Sequence, residues 1–346
     1  MIQSLGLKAL QRIDPEMAHR IALRALRAGM VPAWSDPVPT SLRSRVLGFD
    51  LAHPVGVAAG FDKNAEAVTP LLNTGFSFVE VGAVTPEPQD GNPRPRMFRL
   101  RDDRAAINRY GFNNDGMGVI GERLAAREPG GIVGVNLGAN KDSADRAGDY
   151  GTVLRHLAPW VDFATVNVSS PNTVGLRDMQ AREALEDVLT RTLAVRDEVA
   201  PDTKLLLKIA PDLTDAQIED VAEIALATGI DAIVATNTTL ARDGVRDPQR
   251  SEAGGLSGAP LMDRSTRILA RLATRTEGKV ILIGVGGISS GADAYAKIGA
   301  GASLVQLYTA LAYEGPGLVR TIALDLARHL ERDGFTHLSQ AIGRDL

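Results

Sequence analysis

The sequence predicts an α/β fold, a (β/α)8 TIM barrel with an N-terminal helical hairpin extension. From residue 54 onward, short apolar runs alternate with helical stretches, which is typical of parallel strands buried on both faces. Eight such runs are present, and eight strands close this kind of barrel. The length of 346 residues suits one barrel with extensions. An open doubly wound sheet is the alternative fold.

The composition excludes several classes of protein. Hydrophobic residues make up 44% of the chain and charged residues 23%, as in a compact globular protein rather than a collagenous, coiled-coil or disordered one. The net charge of −4 offers no broad cationic surface, so we expect no nucleic-acid partner. The absence of cysteine rules out disulfides, thiolate metal sites, iron–sulfur clusters and a cysteine nucleophile. No apolar run reaches the roughly 18 residues of a membrane span, and we expect no signal peptide.

The first forty residues are predicted to form a separate amphipathic helical hairpin, with the barrel domain spanning residues 41–346. Apolar residues recur at helical spacing over residues 2–13. A second helix is expected to begin at the N-cap Asp14, followed by Pro15, and to end near Gly29.

The charge of this hairpin differs in sign from that of the barrel. Residues 1–30 contain five Lys or Arg against two acidic residues, a charge of +3, which leaves −7 for the rest of the chain. The hairpin is expected either to pack on the barrel or to lie on an anionic membrane surface, and both can hold at once.

The eight predicted strands follow one another along the chain. They lie at about 54–59, 77–82, 131–137, 161–168, 204–209, 230–236, 280–286 and 302–307. Two longer insertions, about 85–112 and 240–262, are expected to be loops over the mouth of the barrel.

Polar residues and glycines follow these strands. Because the carboxyl ends of barrel strands converge on one site, we expect these residues to meet there. They are Lys63, Thr85, Asn136, Asn167, Ser170, Asn172, Lys208, Thr236, Asn237, Thr238, Gly286, Gly287, Tyr308 and Thr309, with Asn108 in the first insertion as a further candidate. Each alone could cap or fill a turn, but the whole set points to a functional site.

The types of these residues indicate what binds. Two lysines among neutral amides favour a flat, anionic, hydrogen-bonding ligand over a metal ion. The five histidines lie outside the strand ends, so no metal site is predicted. The glycines after the seventh strand lie where barrels commonly bind phosphate through backbone N–H groups.

Seven short motifs occur in a fixed order along nearly the whole chain. They are AAGFDKN (58–64), INRYGFNN (107–114), NVSSPNT (167–173), LLKIAPD (206–212), ATNTT (235–239), GGLSG (254–258) and VGGI (285–288). Together they resemble the dihydroorotate dehydrogenases. The serine in SSPNT and the N-terminal helical pair are similar to the membrane-associated, quinone-using class, whereas the soluble classes carry a cysteine as base.

The resemblance implies an FMN enzyme, with one FMN per chain, that oxidises dihydroorotate to orotate in pyrimidine synthesis and reduces ubiquinone or a related quinone. It implies a peripheral protein on the cytoplasmic face of the cell inner membrane, in contact with the membrane through residues 1–40. The hairpin would form an apolar tunnel for the quinone tail, and His19 and Arg99 match positions near the quinone head group.

The resemblance also assigns roles in the reaction. Ser170 would be the base that removes the C5 proton of dihydroorotate while hydride leaves C6 for flavin N5, and Thr173 is a candidate to relay the proton. The implied substrate contacts are Lys63, Asn108, Arg109, Tyr110, Gly111, Phe112, Asn167, Asn172, Asn237 and Thr238. The implied FMN contacts are Ala59, Gly60, Phe61, Asp62, Lys63, Ala83, Asn136, Asn167, Lys208, Thr236, Gly258, Gly287, Tyr308 and Thr309. Ala83 departs from the family, which usually has Ser or Thr there, so a side-chain hydroxyl to FMN is lost.

Two other classes of function remain open at this point. A phosphate-binding barrel isomerase or a Schiff-base aldolase would use Lys63 or Lys208 as its nucleophile. A non-catalytic flavin or nucleotide binder would keep the glycines and lysines but would not need Ser170.

Overall fold

The computed structural model describes residues 2–346, in which eight parallel strands close into a barrel surrounded by helices. The helices are α1 (Ile2–Leu10), α2 (Pro15–Arg27), α3 (Val68–Asn73), α4 (Gly116–Ala125), α5 (Arg146–Leu157), α6 (Arg182–Val199), α7 (Asp215–Thr228), α8 (Met262–Thr276), α9 (Gly291–Gly299), α10 (Thr309–Glu314) and α11 (Leu318–Arg332). The strands are β1 (Ser44–Val46), β2 (Phe49–Leu51), β3 (Val55–Val57), β4 (Phe78–Val84), β5 (Met97–Leu100), β6 (Ala105–Asn108), β7 (Ile132–Leu137), β8 (Phe163–Asn167), β9 (Lys204–Ile209), β10 (Ala232–Ala235), β11 (Gly255–Gly258), β12 (Ile281–Val285) and β13 (Leu304–Leu307).

The barrel strands are paired in chain order, β3-β4-β7-β8-β9-β10-β12-β13, and β13 closes on β3. These are the eight strands that the sequence predicts, so the TIM-barrel prediction is confirmed and the open sheet is excluded. The strands are buried on both faces, as their near-continuous apolar runs require.

Aromatic rings fill the N-terminal end of the barrel. Phe78 on β4 and Phe163 on β8 meet edge to face with 6.1 Å between ring centroids. Glycines make room for them, because a Cβ at Gly56 or Gly134 would lie 2.4 or 2.1 Å from these rings. The short antiparallel pair β1–β2, which the sequence analysis did not predict, packs apolar residues against the same end. Only the opposite end of the barrel is left open.

The two insertions were expected to be loops, but both contain β-strands. The first forms β5 and β6, the second forms β11, and β6 pairs with both to make a three-stranded antiparallel sheet over the barrel mouth. Each strand is only four residues long, and the pairing joins segments about 150 residues apart. β5 and β6 pair within the first insertion, whereas β11 joins them from the second, so neither insertion contains the complete three-stranded sheet.

The N-terminal hairpin packs beside this sheet. The predicted N-cap is confirmed, since the side chain of Asp14 accepts a hydrogen bond of 2.8 Å from the N–H of Met17 at the start of α2. The carboxylate of Glu16 on α2 forms a salt bridge of 2.9 Å with Arg96. Arg96 lies in the first insertion, directly before β5. The first helix ends at Leu10, earlier than the sequence pattern suggests.

One face of α2 is buried against the barrel and another is exposed. Leu23 and Leu26 join the main core, whereas Met17 and Ile21 are exposed apolar side chains. Among the described residues, no helix is long and apolar enough to cross a membrane.

Candidate active site

One cavity of about 970 Å³ extends from the open end of the barrel to the space beneath the hairpin. Its polar end is lined by residues at the carboxyl ends of the strands, and its apolar end by Leu10, Ala18, Ala22 and Leu26 of the two N-terminal helices. A polar site and an apolar cleft are therefore continuous.

A buried carboxylate lies beneath the polar end of the cavity. Glu80 on β4 is fully buried, and its two oxygens accept hydrogen bonds from Asn136 Nδ2 at 2.7 Å and from Gln306 Nε2 at 2.6 Å. A buried carboxylate needs such donors to offset its lost hydration. Because a carboxylate oxygen accepts and does not donate, Glu80 fixes which end of each amide faces it.

This orientation passes from one amide to the next. Asn136 turns its Oδ1 to Asn167, whose Nδ2 donates at 2.7 Å. Asn167 Oδ1 then accepts from Asn237 Nδ2 at 3.2 Å and from the hydroxyl of Ser169 at 3.0 Å. Asn237 Oδ1 accepts the backbone N–H of Thr238 at 2.7 Å. The amides at the ends of four strands thus form one directed network.

Two lysines contribute positive charge to the cavity. Lys208 is buried and makes no hydrogen bond within the described chain, while burial lowers its pKa and the Glu80 carboxylate opposes that shift. Lys63 Nζ donates to the carbonyl of Gly60 at 2.7 Å and lies 4.2 Å from the ring centroid of Tyr110. Burial lowers the pKa of Lys63 to about 8. Both ammonium groups are suited to an anionic ligand that completes their coordination.

Ser170 lies in the loop after β8, and Arg177 holds that loop. The Ser170 side chain is buried, and its Oγ accepts the N–H of Asn172 at 3.3 Å. Arg177 donates to the carbonyls of Ser169 at 3.1 Å and Thr238 at 2.9 Å, and pairs with Asp212 at 2.8 Å. One guanidinium therefore joins the loops after β8, β9 and β10.

The hydroxyl of Thr173 is buried without a hydrogen-bond partner in the described chain. The hydrogen bond between Ser170 and Thr173 that a direct proton relay needs is accordingly not formed here.

The amides of Asn108 and Asn172 are connected by hydrogen bonds to the N-terminal hairpin. Asn172 Nδ2 donates to Asn108 Oδ1 at 3.3 Å, and Asn92 Nδ2 donates to the carbonyl of Asn172 at 3.1 Å. Arg96, the partner of Glu16 on α2, donates to the carbonyl of Asn92 at 3.0 Å. The hairpin and the polar site are therefore mechanically connected.

One end of the cavity is lined by glycines. Gly258 and Gly287 have φ of 98° and 85°, and a Cβ at either would lie 2.5 Å from backbone atoms of a neighbouring segment. The N–H groups of Gly287 and Ile288 have no backbone partner in the described chain. Such N–H groups can bind phosphate oxygens.

His19 and Arg99 line the cavity between its polar and apolar ends. The His19 ring packs against Phe61 and Tyr308 with centroid distances of 5.2 and 5.9 Å, so it is not the ordinary surface residue that its helical position suggests. Burial, with a smaller effect of Lys63, lowers the pKa of His19 to about 3, which keeps the ring neutral. Arg99 Nη1 donates to the carbonyl of Gln11 at 2.7 Å.

The structure brings most predicted site residues to this cavity, with four exceptions. Thr85 is buried outside the lining, where its Oγ donates to the carbonyl of Glu87 at 2.6 Å. Thr173 is also buried outside the lining.

Asp62 is buried outside the lining because its carboxylate accepts the N–H groups of Glu66 and Ala67 at 2.8 and 2.7 Å. Arg109 turns to Glu252, at 2.8 Å, instead of to the cavity. Asp62 and Arg109 were inferred from motifs of which most other members line the cavity.

Comparison with known proteins identifies the family. The family model described as dihydroorotate dehydrogenase matches residues 41–330, which is most of the chain. The chain belongs to the dihydroorotate dehydrogenase family.

The relatives in this family match along their whole length. A protein named dihydroorotate dehydrogenase (quinone) from Cereibacter sphaeroides is 56% identical over 99% of this chain and 97% of its own. Another of that name from Rhodospirillum rubrum is 51% identical over 96% of this chain and 92% of its own. A crystal structure of DHODH from Eimeria tenella in complex with ferulenol superposes with a TM-score of 0.92 at 39% identity, covering 96% of both chains.

Three residues that matter to this dihydroorotate dehydrogenase site were missed from the sequence. They are Glu80, Gln306 and Arg177. Glu80 and Gln306 each interrupt an apolar strand run. A charged or amide residue at such a position indicates a buried polar group that needs hydrogen-bond partners. Arg177 carries no comparable sign.

Proposed function

We propose that this chain oxidises dihydroorotate to orotate and transfers the electrons to a quinone, as a step of pyrimidine synthesis. The observation that carries this proposal is the single cavity, which joins an amide-rich polar site to an apolar cleft. The quinone-type relatives that match along the whole chain agree with it. Schiff-base chemistry at Lys63 or Lys208 and a non-catalytic binder are not supported by this family membership.

The flavin is proposed to be FMN, with one bound per chain. Gly258 and Gly287, with the free N–H groups beside them, fit the phosphate of the flavin. The unpaired Lys208 ammonium fits its anionic ring. When bound, FMN accepts a hydride and later returns two electrons to the quinone. The proposed contacts to it are those implied by the family, without the side chain of Asp62.

Dihydroorotate is proposed to bind among the amides at the barrel mouth. Asn108, Asn172 and Asn237 offer donors and acceptors together, as a ring with carbonyl and N–H groups requires. Lys63 would attract the carboxylate. Because Glu80 fixes the direction of the network, the site presents one pattern of donors and acceptors before the substrate arrives.

Ser170 is proposed as the base. Its Oγ would take the C5 proton of dihydroorotate, and its own proton must then leave, because a serine hydroxyl is a poor base in water. Thr173, with a buried and unpartnered hydroxyl, is the proposed next carrier once substrate binding brings the two side chains together.

The quinone is proposed to enter beneath the hairpin. Neutral His19, held against Phe61, and Arg99 are the proposed contacts for its head group. Exposed Met17 and Ile21 on α2, together with its exposed arginines, support peripheral contact with an anionic membrane through residues 1–40. We place that contact at the cytoplasmic face of the inner membrane.

Replacing Ser170 with Ala should slow flavin reduction by dihydroorotate by about 10²- to 10⁴-fold, the usual contribution of a general base, while FMN stays bound. Anaerobic stopped-flow absorbance measures the reduction, and the visible spectrum measures FMN content. Ser251→Ala, at an exposed site outside the cavity, is the control. Equal loss of flavin and of turnover would mean that Ser170 is structural.

Replacing Glu80 with Gln should raise the reduction potential of the bound flavin. The change removes a negative charge near Lys208 and leaves the lysine to favour an anionic reduced ring. We expect a shift on the order of 30 mV, which for a two-electron couple is about 1.4 kcal/mol.

Spectroelectrochemical titration measures this shift. Glu252→Gln, which removes a partly exposed carboxylate paired with Arg109, should leave the potential unchanged. A potential in Glu80→Gln equal to that of the parent would contradict the electrostatic role of Glu80.

Filling the apolar cleft should uncouple the two half-reactions. Ala22→Phe projects a ring into the cleft, so reoxidation by quinone should slow by about tenfold or more, a barrier increase of about 1.4 kcal/mol, with reduction by dihydroorotate unchanged. Double-mixing stopped flow measures both steps. Ala28→Phe makes the same change at an exposed position on the hairpin. Normal reoxidation in Ala22→Phe would rule out quinone entry at this cleft.

A further inference from the structure

A fully buried lysine lies outside the lining of the cavity. Lys297 on α9 has no exposed surface and is among the largest fully buried side chains of the described chain. It lies behind β12, where Gly284 makes room for it, since a Cβ there would be 3.1 Å from the Cβ of Lys297. Burying an ammonium group is costly, so a lysine in this position calls for a physical explanation.

The contacts of Lys297 lead toward the glycine turn of the cavity. Its Nζ donates to the hydroxyl of Ser265 on α8 at 2.5 Å and lies 3.5 Å from the carbonyl of Met262. Within the described chain it has no carboxylate partner at ion-pair distance. Its charge is therefore compensated only by neutral oxygens and by more distant groups.

Ser265 connects the lysine to the turn after β12. Its Oγ lies 3.1 Å from the carbonyl of Gly286 and 2.8 Å from that of Leu261. In a trans peptide the C=O and the next N–H point in opposite directions. Holding the Gly286 carbonyl against Ser265 therefore turns the Gly287 N–H away from Ser265, on the side of the cavity that both glycines line.

We propose that Lys297 is a positioning residue for the phosphate of FMN, which holds the Gly286–Gly287 turn through Ser265 and supplies a fixed positive charge behind it. This inference rests on the proposed function, because it takes FMN as the ligand. The turn offers backbone N–H groups without backbone partners, which can bind a phosphate dianion. Two hydrogen bonds, Lys297 to Ser265 and Ser265 to the Gly286 carbonyl, connect the buried cation to this turn.

The titration of Lys297 supports this role. Burial lowers its pKa to about 7, with Asp293 on its own helix and Asp263 on α8 acting in the opposite direction. A phosphate anion nearby raises the pKa again, so above pH 7 the binding of FMN takes up protons. The affinity for FMN is then greatest below the pKa of the free protein and falls as the pH rises through that of the complex.

The direct test compares FMN with riboflavin, which has the same ring system without the phosphate. The full chain, freed of flavin, is titrated with each by fluorescence quenching. Lys297→Met keeps the length and removes the charge, and it should weaken FMN binding by about tenfold or more while riboflavin binding stays the same. Lys279→Met, at an exposed lysine, is the matched control and should change neither.

A measurement on the unmodified protein guards against a variant that fails to fold. Calorimetric titration at pH 8 in two buffers of different ionisation enthalpy gives the protons taken up on binding, and we expect uptake with FMN but not with riboflavin. Equal losses for both flavins in Lys297→Met, or no phosphate-dependent proton uptake, would overturn the inference. Failure of the parent protein to bind either flavin would overturn the FMN assignment itself, and this inference with it.

Discussion

The buried carboxylate of Glu80 sets the arrangement of the polar site. It lies two residues after Phe78 on β4, so both side chains point into the barrel, one layer above the other. The aromatic layer closes the barrel from below, and the carboxylate directly above it has only Asn136 and Gln306 as donors. Through Asn136, this buried anion determines the direction of the amides of Asn167 and Asn237. The polar end of the cavity is thus organised from the floor of the barrel rather than from its loops.

The same carboxylate favours the charged form of Lys208. Lys208 faces the cavity with a pKa lowered by burial, and Glu80 is the group that partly restores it. Lys63 lies at the other side of the cavity, beneath α2 and beside Tyr110. The hairpin reaches this region through Glu16, Arg96 and Asn92, so the element that forms the apolar cleft also braces the polar site. A chain of hydrogen bonds therefore links the hairpin to the polar end of the cavity.

Sequence reasoning recovered the parts of this structure that depend on local pattern. The eight barrel strands, the N-cap at Asp14 and the amides at the strand ends follow from periodicity and from the geometry of parallel barrels. The sheet of β5, β6 and β11 could not be predicted in this way, because its strands are short and pair across the chain. Glu80 and Lys297 were missed because their roles depend on neighbours from other strands and helices. Asp62 and Arg109 were placed in the site because of their motifs. In the structure, Asp62 accepts the backbone N–H of Ala67, and Arg109 forms a salt bridge with Glu252 of the second insertion.

We propose that one continuous cavity allows a flavin to be reduced by dihydroorotate at its polar end and reoxidised by a quinone at its apolar end. The most direct test is the visible spectrum of the purified protein during anaerobic addition of dihydroorotate, followed by a quinone. We expect an oxidised-flavin spectrum that bleaches with dihydroorotate and recovers with the quinone. A protein that stays colourless after reconstitution with FMN, or a flavin that dihydroorotate does not bleach, would contradict it.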